Sequence, residues 1–162
     1  MRPTSLLVGL LLVSAGVAQR EKYTGPTPPK PDIPYLMHAD NLIETEIAQA
    51  TEEKRKNDTA YRVAGASSPA RTPLAEPVFL LLSEKITPDS LELYRMEVKG
   101  GNREAVFSDR GRRGGPRAYR LAYTRLGEKL YRLEVSENPG LENGQYSLTP
   151  RGSNAVFCFE VY

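Results

Sequence analysis

The 162-residue chain holds one cysteine, one histidine and no tryptophan. With Cys158 alone, no disulfide can form within the chain, so burial of apolar surface must hold the fold. His38 alone would have to serve as the base of any catalytic triad or as the imidazole ligand of any zinc site, in each case together with partners. Asp40 and Glu44 stand near His38 in sequence, but one imidazole with two carboxylates is a weak metal signature. A Cys–His nucleophile pair would require folding to join residues 38 and 158. Cys158 reads better as a small buried hydrophobe in an apolar strand, its alternative being an intermolecular disulfide. No metal or cofactor is expected.

Charge of one sign is also lacking. The formal net charge is +2, which gives no electrostatic footprint for nucleic acid. The glycine-rich run at residues 110–115 is followed by a strand pattern rather than a helix, which excludes a phosphate-cradling loop of the P-loop kind. No internal repeat is visible. The apolar run at residues 6–13 is too short for a membrane-spanning helix of roughly 20 residues, and no second apolar segment follows it.

That first run belongs to an export signal. Arg2 precedes it, and the small residues Ser14, Ala15, Gly16 and Ala18 follow, which is the order of a charged, an apolar and a cleavage region. Cleavage is expected after Ala18, leaving Gln19 at the new terminus; the alternative is an uncleaved N-terminal anchor. The expected organisation is a signal peptide over 1–18, a Pro-rich flexible linker over 19–34 and a mainly-β domain over 35–162. The location implied is secreted or periplasmic, with no transmembrane segment after cleavage.

What is present suits strands and turns: 9 tyrosines, 13 glycines and 13 prolines. Residues 78–82 are five consecutive apolar side chains, the pattern of a strand covered on both faces. Alternation then recurs. Tyr94, Met96 and Val98 oppose Arg95 and Glu97; Tyr119, Leu121 and Tyr123 oppose Arg120 and Thr124; Tyr131, Leu133 and Val135 oppose Arg132 and Glu134. Phe157, Phe159 and Val161 fall on one face of the last strand, with Val156 and Cys158 on the other. About seven short strands predict an all-β, antiparallel, sandwich-like domain with its core in residues 77–162. Residues 35–65 read two ways. Asn41 and Glu44 form a capping-box pattern, with Leu42, Ile43, Ile47 and Ala50 on one helical face. The reading preferred here is a hairpin with arms over 46–54 and 59–64.

The conspicuous charge feature is a basic loop. Arg103, Arg110, Arg112, Arg113, Arg117, Arg120 and Arg125 are opposed only by Glu104 and Asp109. Guanidinium groups bind carboxylate, phosphate and sulfate in bidentate fashion. Arg110, Arg112, Arg113 and Arg117 are therefore the candidate anion- or partner-binding residues, suited to an anionic glycan, a lipid head group or an envelope protein. The bland alternative is a solvated loop tip. Asn57-Asp58-Thr59 matches the N-glycosylation sequon. No residue is nominated as catalytic.

The stretches 144–148 and 154–161, with the Phe-Cys-Phe run, together with 34–42 and 66–74, resemble exported bacterial proteins of unknown function. The resemblance implies an envelope or secreted location and brings no activity or ligand with it. The expected function is a non-enzymatic exported binding module. The alternatives are a small secreted hydrolase with an unrecognised carboxylate site and a self-associating envelope component.

Overall fold

The computed structural model describes residues 21–109 and 116–162; the signal-peptide expectation lies outside them. Among the described residues backbone pairing forms thirteen strands. They are β1 (Tyr35–His38), β2 (Asn41–Glu44), β3 (Glu46–Gln49), β4 (Thr51–Lys54), β5 (Asp58–Ala64), β6 (Arg71–Thr72), β7 (Val78–Leu82), β8 (Leu91–Lys99), β9 (Asn102–Ser108), β10 (Leu121–Arg125), β11 (Leu130–Val135), β12 (Gly144–Pro150) and β13 (Ala155–Val161). Among the described residues there is no α-helix, only one short 3-10 turn at Pro88–Ser90, and none long and apolar enough to cross a membrane.

The strands form two layers. One is a five-stranded antiparallel sheet in the order β10-β11-β7-β1-β2. The other runs β3-β13-β12-β8-β9-β5-β4, with β6 paired parallel to β13. Its two end strands, β3 and β4, are successive pieces of one chain separated only by Ala50, whose N–H donates to the carbonyl of Asn154 at 2.8 Å. The edges of this sheet are thus the same strand, 46–54. The first half pairs with β13 and the second with β5. The second layer closes into a barrel of six walls, counting 46–54 as one, and closure spares the sheet two fully unpaired edge strands.

Period-two alternation directs each wall residue inward or outward. Along β12 and β13, Tyr146, Leu148, Phe157, Phe159 and Val161 point out of the barrel into the main core. There they meet Leu36, Phe79, Leu81, Leu133 and Val135 from the five-stranded sheet. Phe159 lies at the centre, with its ring 5.1 Å from Phe79 and stacked 5.5 Å from Tyr146. The intervening residues Val156 and Cys158 point inward and form a second apolar cluster with Ala50, Val63 and Met96. Residues 78–82 are central as expected: β7 lies between β11 and β1, with Phe79, Leu80 and Leu81 fully buried.

The architecture is the all-β, sandwich-like domain expected, with corrections in its parts. The hairpin forms only where β4 pairs with β5, Thr51 to Arg62; the first half of its expected first arm, 46–49, pairs with β13 instead. The helix reading fails, because Glu46 and Ala48 share a face that looks into the barrel while Ile47 stands exposed on the other. Residues 35–65 do not pack on a finished core. Hairpin β1-β2 belongs to the five-stranded sheet and β3 to β5 complete the barrel, so strands outside 77–162 are needed to build both layers.

The linker expectation is corrected at its C-terminal end. Pro28 and Pro34 are buried, and Ile33 packs against the main core. Asp32 donates its N–H to the carbonyl of Leu82, and its Oδ1 accepts the N–H groups of Glu84, Lys85 and Ile86 at 2.8–2.9 Å. Proline has no N–H to leave unpaired, so its burial in an irregular segment costs little.

Phe159→Ala is expected to cost about 3–5 kcal/mol through the cavity it leaves between Phe79 and Tyr146. Urea unfolding should show this as a lower midpoint at unchanged slope.

Candidate functional site

A six-walled barrel is narrower than the eight-stranded ring whose interior side chains just fill. Space inside it requires small residues on the inward face. Ala50, Ala105 and Ser147 supply that, and a cavity of about 850 Å³ results. Its depths are apolar, formed by Met96 and Val156, both buried. Its mouth is polar, with Glu52, Asp109, Arg151 and Asn154 all exposed. Buried depth and exposed rim together make a cup open at one end, within the range of volumes that small-molecule sites occupy.

The closed end is held by one cation. Arg103 extends inward from β9 with its side chain 1% exposed. Nη1 and Nη2 form a two-pronged pair with the Glu46 carboxylate at 2.6 and 2.8 Å. Nε and Nη2 donate to the carbonyls of Gly65 and Ala64 at 2.9 and 2.8 Å. Gly65, with φ of +86°, turns the chain out of β5 in a conformation that other residues rarely adopt. Ser68 ties the loop that follows: its N–H donates to Oε1 of Gln145 and its Oγ to the carbonyl of Cys158. Burial would raise the Glu46 pKa, but the hydrogen bonds from Arg103 and Ser68 and the charge of Arg103 outweigh it and hold the carboxyl below its usual range. Cys158 is fully buried, and desolvation pushes its thiol up to about 12. It is a packing residue, inaccessible for an intermolecular disulfide.

Three rings stand on adjacent walls around the cup. Phe107 meets Tyr61 at 5.7 Å and 81°, and Tyr94 at 5.2 Å and 86°, both edge-to-face. All three are half-buried, so their surfaces reach the open space. Tyr94 donates its hydroxyl to Glu92 at 2.7 Å; burial first, and then that bond, raise its pKa to about 12. Glu92 also accepts from Nε of Arg151 at 3.1 Å. Thr59 donates to Oδ1 of Asp109 at 3.2 Å.

The residues singled out from sequence are dispersed. Arg110, Arg112 and Arg113 lie outside the described residues. Arg117 is exposed, and its Nη2 lies 3.1 and 3.0 Å from the two oxygens of Glu137. Arg103 belongs to the barrel floor rather than to the basic loop. Arg125 donates to the carbonyls of Gly127 and Glu128 within its own turn. His38 is exposed at the tip of hairpin β1-β2, in the opposite layer from Cys158, so the fold does not join them. Asn57 sits in the turn between β4 and β5, its carbonyl accepting from the N–H of Asp109. The aromatic lining was hidden because Tyr94 and Met96 read as an ordinary core face. A usable signal was present: Tyr61, Tyr94 and Phe107 each share a strand face with a polar residue two positions toward the same end of the barrel.

The chain matches no protein-family model, no curated protein and no solved structure.

Glu46→Leu is expected to strand the Arg103 guanidinium in the barrel floor, at a cost of about 3–5 kcal/mol. The pair also predicts an acid limb of stability. A depressed folded pKa contributes stability that is fully present above the unfolded value of roughly 4.3 and lost as pH falls through the lower folded value. Thermal unfolding followed from neutral pH into that range should show a shallower decline for Glu46→Gln than for the native chain.

Proposed function

We propose that this protein is an exported, non-enzymatic binding module and that its ligand site is the barrel cup. The observation that carries the reading is the cavity itself: about 850 Å³, apolar in its depths, polar at its mouth and open at one end. A fold held only by core packing leaves such a volume unfilled at a cost in stability, which a bound ligand offsets by mass action. Export rests on the order of charged, apolar and small residues before Gln19. The resemblance to exported bacterial proteins supports a periplasmic or secreted setting. An anionic glycan, lipid head group or envelope protein held by Arg110, Arg112, Arg113 and Arg117 is the competing placement of the binding site on the same module.

A small hydrolase is the second reading, favoured by one observation: Glu52, Glu92 and Asp109 line a single cavity. Paired acids flanking a bound substrate are the requirement of glycoside hydrolysis.

The test uses a neutral environment-sensitive dye, N-phenyl-1-naphthylamine, titrated into the purified secreted protein. Fluorescence should rise saturably, and Thr149→Trp, which places a large side chain at the half-exposed mouth, should abolish the rise without lowering the unfolding midpoint. Heparin retention lost in Arg112→Ala/Arg113→Ala, with no dye binding by the native chain, would move the site to the basic loop. Turnover of nitrophenyl glycosides lost in Asp109→Asn would favour the hydrolase.

A further inference from the structure

We propose that the ligand of the cup is a small organic cation, an alkylated or quaternary ammonium carried on an apolar body. The inference rests on the cup being the ligand site and adds the chemistry it selects. Both tyrosine rings stand nearly perpendicular to Phe107, so the three rings are not a flat stack, and all three line the cup. An aromatic face carries the negative end of the ring quadrupole and attracts a cation within about 6 Å of its centroid. The Tyr94 hydroxyl donates to a carboxylate at 2.7 Å, which shifts electron density into its ring and strengthens that attraction.

The charged groups on the described lining have the matching sign. Glu52, Glu92 and Asp109 are three carboxylates on a lining with one guanidinium, Arg151; Glu92 engages Arg151, and Glu52 lies 3.8 Å from the exposed Lys54 outside the lining. Such a lining raises the local concentration of cations and repels carboxylates and phosphates. A strongly hydrated ion gains little from ring faces, whereas an alkylated ammonium exposes methyl groups that lose little hydration on entering. The apolar floor at Met96 and Val156 then takes an uncharged body.

Isothermal titration of the full secreted protein with phenyltrimethylammonium, its neutral isostere tert-butylbenzene and the anion benzenesulfonate tests this directly. The cation is expected to bind at least tenfold more tightly than the isostere, with benzenesulfonate weaker still. Phe107→Leu should lose about tenfold for the cation and less for the isostere. Glu52→Gln/Asp109→Asn keeps the side-chain shapes and should erase most of the charge preference, as should raised salt. Equal binding of cation and isostere, or preference for the anion, overturns the cation assignment while saturable dye fluorescence leaves the cup standing as the site. Absence of both dye and probe binding overturns the two together.

Discussion

Closure of the larger sheet depends on one strand doing two jobs. Residues 46–54 pair with β13 through their first half and with β5 through their second, and Ala50 is where the change of partner happens. Without that shared strand the layer would be an open sheet with two unpaired edges, and its inner face would have no enclosed volume. Where the wall changes partner a small side chain, Ala50, stands buried and lines the cavity. Barrel, cavity and ring of aromatics all follow from this junction.

The arginine at the floor solves the problem that closure creates. A narrow barrel must be sealed at one end or filled throughout. Arg103 spans the interior with a planar, five-donor head that meets a carboxylate and two carbonyls at once, a geometry that lysine could not reproduce. Its burial is tolerated because its neighbours are hydrogen-bonded and of opposite charge. The apolar residues above it, Val63, Met96 and Cys158, shield the pair from the cup.

The fold class could be read from alternation because each core strand follows a strict period of two. Strand 78–82 was recognisable as central because five apolar residues in a row leave neither face for water. Residues 35–65 were harder: much of the segment is polar, and the inward positions of 46–50 are filled by Glu46 and small alanines rather than by large hydrophobes. Charge misled as well. Seven arginines near one loop suggested a single basic surface, yet Arg103 is buried and Arg117 lies against Glu137. Sequence proximity cannot tell which face of a strand a guanidinium leaves from until the pairing register is known. The cup was invisible for the same reason: its lining comes from alternate positions on six walls, and no local window contains it.

The walls of the barrel are unequal in what they are free to become. β8, β12 and β13 are pressed between the cup and the main core, so a change on either face is felt by both. β4, β5 and β9 turn their outer faces toward ion-paired surface, where Arg55, Arg62 and Lys99 surround Glu104. Tyr61 and Phe107 stand on those strands. Descendants of this sequence could therefore retune what the cup accepts from the wet side of the barrel, one ring at a time, while the half that holds the two layers together stays unaltered.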